Sequence, residues 1–168
     1  MIVIICGLPG VGKTTIAKNL APMINSTILS SDKIRKELFP NPTYSPFERK
    51  LVYDVMIILA KYLNESGRNC ILDATFNRED SRLEIREKLH LVDKEFQIIE
   101  CLCPEDVVIS RLKSRKDDYS DATMETYQKM KKIYEPVKVE HITIDTVSSP
   151  QENSQRIVEA MKRKTQIT

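Results

Sequence analysis

The sequence lacks the features that mark several large classes of protein. No apolar run approaches the roughly 18 residues that a membrane-spanning helix needs, and no basic leader precedes the first apolar segment at Ile2. A net charge of +2 is too small to indicate nucleic-acid binding by bulk electrostatics. With 41% hydrophobic and 30% charged residues, the composition is that of an ordinary globular chain. We therefore expect one domain over residues 1–168, located in the cytoplasm and not bound to a membrane.

Cysteine and histidine are scarce and follow no catalytic or metal-binding pattern. All four cysteines lie in apolar, β-branched stretches, where a reduced cysteine behaves as a small buried hydrophobic residue: Cys6, Cys70, Cys101 and Cys103. No second cysteine pair or nearby histidine completes a zinc site around the last two. The two histidines, His90 and His141, have no serine or carboxylate at the spacing of a nucleophilic triad. Neither a triad nor a structural zinc site is therefore expected.

Short β-branched segments alternate with longer segments of helical spacing, which is typical of βαβ units around a parallel sheet. Several of the short runs are apolar on both faces, and this predicts helices covering both sides of the sheet. The sequence therefore predicts a three-layer α/β protein. Its strands are expected near residues 2–6, 26–30, 69–73, 95–102 and 141–145.

The longest predicted helix begins after a run of prolines. Ser45 is suited to be its N-cap, with a proline in the first helical position and Glu48 reaching back, and Gly67 is suited to end it. Its apolar residues recur at three-to-four spacing, so we expect them to pack on the sheet: Phe47, Leu51, Val55, Ile58, Leu59 and Tyr62.

The run from Gly7 to Thr14 reads GLPGVGKT and matches the phosphate-binding pattern G-x-x-x-x-G-K-[ST]. A predicted strand precedes it and an amphipathic helix segment follows, which is the context that the pattern requires. Three of the four glycines in the chain lie here, where backbone N–H groups must converge on phosphate oxygens in conformations that a Cβ blocks. The residues expected to hold the nucleotide are Gly7, Gly10, Val11, Gly12, Lys13, Thr14 and Thr15.

Two side chains of this loop have specific expected roles. Lys13 is expected to bridge the β- and γ-phosphates of ATP, and Thr14 to offer its hydroxyl to Mg²⁺. The helix that begins here adds the positive end of its dipole to the anion site. The alternative is a glycine-rich turn between strand and helix that binds no ligand.

Ligands of an open parallel sheet gather outside the carboxyl ends of its strands, and two of those ends carry carboxylates. Asp32 and Arg35 follow the second predicted strand, three residues apart in the first turn of a helix, so that they share a face. Asp32 is suited to accept a hydroxyl proton, and Arg35 to hold an anionic or polar group of the acceptor. The alternative is that Ser31 or Asp32 only caps the helix.

Asp73 ends the third predicted strand, where it is expected to lie beside the phosphate-binding loop. There it can orient Mg²⁺ through water or bond to Thr14. Arg82 follows on the next helix and is a candidate to face the acceptor substrate. The alternative is that Asp73 satisfies the local backbone of a turn.

Arg111 and Arg115 precede a polar stretch that is expected to form a lid at about residues 113–121. Arginines on such a segment can stabilise the charge on transferring phosphates, and both are therefore candidate catalytic residues. The alternative is an exposed basic helix end.

Taken together, these residues resemble the predicted kinases with an AAA-type ATP-binding domain, over residues 1 to about 136. That group is similar to polynucleotide 5′-kinase domains, gluconate kinase and zeta toxins. The resemblance implies a three-layer α/β/α P-loop NTPase fold, with a five-stranded parallel sheet in the order 2-3-1-4-5 and a lid after strand four. It also implies ATP with Mg²⁺ as the phosphoryl donor and Asp32 as general base. In the polynucleotide kinases, the residues matching Asp32 and Arg35 receive the terminal hydroxyl and the adjacent phosphate, and those matching Asp73 and Arg82 recur.

The function predicted from these residues is ATP-dependent transfer of phosphate to an alcohol. The Asp32/Arg35 and Asp73/Arg82 pairs favour a polynucleotide 5′-hydroxyl as the acceptor, with the hydroxyl of a small metabolite as the alternative: a sugar acid, a nucleoside or an antibiotic. A nucleoside monophosphate kinase shares the same fold. A nucleotide-dependent switch without an acceptor is the alternative of another class, although the N-K-x-D run of guanine-specific GTPases is lacking.

Overall fold

The computed structural model describes residues 1–114 and 121–166, the side chains of residues 165 and 166 excepted. Its five strands form one sheet in the order β2-β3-β1-β4-β5, and every neighbouring pair is parallel. The predicted strand order is therefore confirmed, and the predicted bounds are close to those observed. The strands are β1 (Ile2–Cys6), β2 (Ser26–Ser30), β3 (Asn69–Asp73), β4 (Phe96–Leu102) and β5 (Ile142–Asp145).

Helices connect the strands and cover both faces of the sheet, as βαβ units require. A short 3₁₀ turn over Asp93–Glu95 leads into β4. None of the described helices is long and apolar enough to span a bilayer. The helices are α1 (Lys13–Met23), α2 (Ser31–Leu38), α3 (Pro46–Glu65), α4 (Glu79–Lys88), α5 (Glu105–Ser114), α6 (Met124–Ile133) and α7 (Pro150–Gln166).

The central strand β1 is fully buried and divides the core in two. Ile2 and Ile4 point to one face, where they join a cluster that includes apolar residues of α3 and α4. Val3 and Ile5 point to the other face and pack with residues of α1, α5 and α7. Alternate residues of a strand lie on opposite faces, so a strand apolar at every position needs cover on both sides. The predicted three-layer architecture is confirmed.

The predicted packing face of α3 was wrong. Four of the six residues expected on the sheet are exposed instead, with 71% of Phe47, 53% of Ile58, 40% of Leu59 and 65% of Tyr62 accessible to solvent. A second set of apolar residues with the same helical spacing packs on the sheet: Val52, Met56, Ile57 and Ala60. The two sets are offset by one position, which is a rotation of about 100° around the helix axis. Spacing alone did not distinguish them.

A pair of substitutions on α3 tests this orientation. Met56→Ala should lower the free energy of unfolding by about 2–5 kcal/mol, because it removes a buried side chain from the core. Ile58→Ala should change it by about 0.5 kcal/mol or less, because that side chain is largely exposed. Chemical denaturation of both variants measures the difference. A larger loss for Ile58→Ala than for Met56→Ala would mean that the helix packs as the spacing of Phe47, Leu51 and Tyr62 suggested.

Candidate active site

A cleft of about 970 Å³ opens at the carboxyl ends of β1, β2 and β3. Strand register brings its walls together, since Asp73 at the end of β3 lies opposite Ile5 of β1 and Ser30 of β2. The loop after β1 and the helix after β2 therefore start on either side of Asp73. This is the edge of a parallel sheet where ligands are expected to bind.

The loop after β1 has the backbone of a phosphate cradle. Gly7 has a φ of +139°, and a Cβ at this position would lie 2.5 Å from the carbonyl oxygen of Cys101. Gly12 is the N-cap of α1 in the left-handed region and has no side chain to cap the first N–H groups of that helix, whose residues Lys13 and Thr14 line the cleft. The Lys13 ammonium group donates a hydrogen bond of 2.9 Å to the carbonyl of Leu8, inside the loop. These features fit a bound polyphosphate.

Thr14 and Asp73 form the contact that joins the loop to β3. The Thr14 hydroxyl donates to Asp73 Oδ2 over 2.7 Å, and Asp73 is buried. Mg²⁺ in nucleotide sites takes one or two protein oxygens together with phosphate oxygens and water. A hydroxyl and a carboxylate beside the phosphate cradle fit that ion. No group of three or more His, Cys, Asp or Glu side chains suited to a metal occurs among the described residues.

The first turn of α2 forms the opposite wall. Asp32 and Arg35 both line the cleft. The N-cap of α2 is Ser30, and its side chain makes no capping hydrogen bond. Asp32 lies inside the first turn, and its half-buried carboxylate makes no hydrogen bond or ion pair with the described residues. It therefore remains open to a ligand.

Arg35 is buried although it carries a charge. Only 5% of it is exposed, and its Nη1 lies 3.8 Å from a carboxylate oxygen of Glu48. The guanidinium carbon lies 4.8 Å from the ring centre of Tyr44, within the range of a cation–π contact. Its Nε and Nη1 are buried without a hydrogen-bond partner among the described residues. Such groups are rare in folded proteins and call for a physical reason.

Arg111 reaches the cleft from the end of α5, but it is held by protein atoms. Its guanidinium donates to the carbonyl oxygen of Val11 in the phosphate-binding loop over 3.2 Å. It also donates to the hydroxyl and the carbonyl oxygen of Thr146, just after β5. Arg111 thus ties the loop to the end of β5. Arg115, the second predicted lid arginine, lies outside the described residues.

Asp121 is the last residue of the predicted lid and the first described after the gap. Its carboxylate accepts hydrogen bonds from Lys36 of α2, over 2.9 Å, and from the Tyr44 hydroxyl. Both bonds lower the pKa of Asp121, while burial opposes them. The segment before α6 is thereby attached to the Asp32 side of the cleft.

The expectation that Arg82 faces the acceptor needs correction. Its side chain is fully buried under the turn that follows β3. Two nitrogens donate to Glu79, a third donates to the carbonyl oxygen of Phe76, and further bonds reach the carbonyl oxygens of Glu135 and Pro136. Phe76 has a φ of +44°, a backbone conformation that residues other than glycine seldom adopt. Arg82 therefore supports the turn after Asp73 from behind the cleft.

Several cleft residues were missed at the level of sequence. They are Arg49, Tyr53, Asn77, Lys129 and Thr146. Thr146 directly follows β5, and the rule that sites form at carboxyl ends of strands was a usable signal for it. Arg49 and Lys129 lie on faces of α3 and α6 whose approach to the cleft depends on tertiary packing.

A family model described as an AAA domain matches residues 2–137. The chain belongs to this AAA domain family. The match takes in the phosphate-binding loop, Asp32, Arg35, Asp73 and Arg111.

Three known proteins illustrate what this AAA domain resembles. An uncharacterised protein of Mycobacterium tuberculosis strain H37Rv is 29% identical over 133 residues, which is 71% of this chain but 26% of that protein. The chain thus spans about a quarter of the length of the first curated relatives that it matches. The probable UMP-CMP kinase 1 of Arabidopsis thaliana is 25% identical over 142 residues, with 79% of this chain and 69% of that protein covered. The structure of the Mycobacterium tuberculosis APS kinase in complex with AMPPNP and APS matches with a TM-score of 0.74 at 17% identity and covers 96% of each chain. The AAA domain thus has the fold of P-loop kinases.

Substitution of Arg82 tests its structural role. Arg82→Gln should lower the free energy of unfolding by about 3–5 kcal/mol, because it leaves Glu79 and several carbonyl oxygens without their buried partner. Arg78→Gln, at the N-cap of the same helix and largely exposed, is the matched control and should change it by about 0.5 kcal/mol or less. Urea denaturation measures both. A stable Arg82→Gln variant would return Arg82 to the list of ligand-binding candidates.

Proposed function

We propose that this protein is an ATP-dependent kinase that transfers the γ-phosphate of ATP to a substrate hydroxyl. The observation that carries the proposal is the Thr14–Asp73 hydrogen bond, formed in the cleft that Asp32 also lines. This bond places a suitable pair of Mg²⁺ ligands beside the phosphate-binding loop. The Asp32 carboxylate, on the other wall of the cleft, makes no hydrogen bond or ion pair with the described residues. Phosphoryl transfer needs this combination of positioning and charge neutralisation more than it needs covalent chemistry.

The donor half of the site consists of the loop, Lys13, Thr14 and Asp73. Backbone N–H groups of the loop and the α1 terminus bind phosphate oxygens, and Lys13 turns from the Leu8 carbonyl to the β- and γ-phosphates. Thr14 and Asp73 would hold Mg²⁺, which neutralises charge on the transferring group when it is bound. Arg111 keeps the loop in place through the carbonyl oxygen of Val11 and adds positive charge to this wall.

The acceptor half consists of Asp32 and Arg35. Asp32 orients the acceptor hydroxyl and takes its proton as the new phosphate ester bond forms. The bond between the γ-phosphorus and the oxygen that bridges it to the β-phosphate breaks in the same transfer, and ADP leaves with that oxygen. Arg35 binds an anionic or polar group of the same molecule. Both roles agree with the structure of the described residues, in which the Asp32 carboxylate makes no hydrogen bond or ion pair and Arg35 Nε and Nη1 lack hydrogen-bond partners.

The acceptor that we favour is a small metabolite with a hydroxyl and an anionic group. The preference for a polynucleotide 5′-hydroxyl relied on two residue pairs, and Arg82 of the second pair is bonded within the protein. Hydrogen bonds from Lys36 and Tyr44 to Asp121 also attach the start of the segment before α6 to the Asp32 side of the cleft, which suits a small ligand. A polynucleotide 5′-hydroxyl is the second candidate, favoured by Asp32 and Arg35.

A panel of acceptors tests the proposal directly. Radiolabelled ATP should give a phosphorylated product with at least one of these: sugar acids, nucleosides, adenylyl sulfate, aminoglycosides or 5′-hydroxyl oligonucleotides. Transfer to oligonucleotides alone would establish the second candidate. Stimulation by nucleoside monophosphates alone would indicate a nucleotide kinase, and ATP turnover without any acceptor would favour a nucleotide-dependent switch.

Replacement of Asp32 tests the role of the carboxylate. Asp32→Asn should retain ATP affinity and reduce kcat by roughly 10²-fold or more, the contribution expected of a general base. Asp106→Asn, an exposed change on α5, is the control of equal charge. Steady-state kinetics and nucleotide titration measure the two effects separately. Full activity of Asp32→Asn would assign proton transfer to another group.

A further inference from the structure

Glu48 is a buried carboxylate that the phosphoryl-transfer roles above do not use. It lies in the first turn of α3 and is 6% exposed. The sequence pattern predicted a capping box, in which Glu48 would bond to the N–H of the Ser45 N-cap. Ser45 does cap the helix, since the Glu48 N–H donates to its hydroxyl over 3.2 Å. The Glu48 carboxylate, however, bonds to residues that precede the cap.

Four hydrogen bonds reach this carboxylate from two residues. The Thr43 backbone nitrogen lies 3.0 Å from each oxygen of the Glu48 carboxylate, and the Thr43 hydroxyl donates to Glu48 Oε1 over 2.8 Å. The Tyr44 N–H donates over 2.7 Å. Tyr44 has a φ of +56°, a conformation that a residue other than glycine keeps only when its surroundings impose it. The Glu48 carboxylate holds the Tyr44 backbone N–H, while Asp121 and Arg35 contact the Tyr44 side chain.

The conformation of Tyr44 determines what lies above its ring. The Arg35 guanidinium carbon is 4.8 Å from the ring centre, and Glu48 Oε2 is 3.8 Å from Arg35 Nη1. Glu48 therefore acts on Arg35 twice, directly by charge and indirectly through the Tyr44 ring. The ion pair is too long for a hydrogen bond, so the guanidinium is placed without using its N–H groups.

We infer that Glu48 is a positioning residue for the acceptor, which holds Arg35 and Tyr44 ready for the anionic group of that substrate. The inference rests on the proposed function, because it concerns the acceptor half of the same site. Arg35 lines the cleft beside Asp32. An acceptor with a carboxylate, phosphate or sulfate group would thus meet an arginine that is already oriented, and its hydroxyl would face Asp32.

The charge of Glu48 suits this role. Burial raises its pKa, but the hydrogen bonds from Thr43 and Tyr44 and the nearby Arg35 outweigh burial, and the net pKa lies below its ordinary value. The carboxylate is therefore ionised at neutral pH. A glutamine would place an amide N–H₂ group against the N–H donors of residues 43 and 44.

Kinetics of Glu48→Gln test the inference. The acceptor KM should rise about tenfold or more, because Arg35 and Tyr44 lose their support, while the KM for ATP should change by less than about twofold. Glu37→Gln is the matched control, an equal charge change at an exposed position of α2. An unchanged acceptor KM, or an equal rise in both KM values, would overturn the inference.

A double-mutant cycle separates positioning from a general loss of stability. If Glu48 acts through Arg35, the variant with both Arg35→Gln and Glu48→Gln should have the acceptor KM of Arg35→Gln within about twofold. Additive losses would show that Glu48 acts in another way.

Nuclear magnetic resonance of the protein without ligands tests the role of Glu48 independently of the proposed kinase activity. The Arg35 Nε–H should exchange with solvent about tenfold faster in Glu48→Gln, and not in Glu37→Gln, because its burial depends on Glu48. Unchanged exchange would contradict the inference even if the kinase activity is confirmed. A wild-type protein that phosphorylates no member of the panel would refute the proposed function, whereas the exchange measurement would still decide the role of Glu48.

Discussion

Parallel pairing of β1 with β3 is the interaction on which the rest of the site depends. It sets Ile5 opposite Asp73, and the pairing of β3 with β2 sets Ser30 opposite the same residue. A hydrogen bond from the Gly7 N–H to the carbonyl oxygen of Thr75 extends this alignment beyond the strands. The ATP-binding side and the acceptor-binding side of the cleft therefore begin at the same position along the carboxyl edge of the sheet. A shift in register would separate them, although each segment would keep its local structure.

Two buried arginines differ in their hydrogen bonding, and this difference indicates a structural role for one and a ligand-binding role for the other. Charged side chains are seldom buried unless they are paired. Arg82 meets that requirement within the protein, since Glu79 and three carbonyl oxygens accept its N–H groups. Arg35 meets it only in part, through a long ion pair and an aromatic ring, and two of its nitrogens lack partners among the described residues. The first stabilises a turn, and the second suits a ligand.

Prediction from the sequence succeeded where the signal is local. The five strands, the Ser45 cap and the glycines of the phosphate-binding loop were all found, because each depends on a few neighbouring residues. Prediction failed where the sequence is compatible with two local arrangements equally well. Residues of α3 offer two apolar faces one position apart, and only contact with the sheet selects the face of Val52 and Met56. The role of Arg82 was likewise misjudged, because its partners Glu135 and Pro136 are distant in sequence.

The sequence by itself determined a phosphate-binding loop between a strand and a helix, since glycine conformations and helix termini are properties of short segments. It also determined the alternation of strands and helices that makes the sheet parallel. Only the tertiary structure decided which of the candidate charged side chains line the cleft beside that loop and which, like Arg82, are bonded within the protein. The contacts of Glu48 with Arg35 join separate elements of the chain, and such pairings depend on how helices pack against the completed sheet.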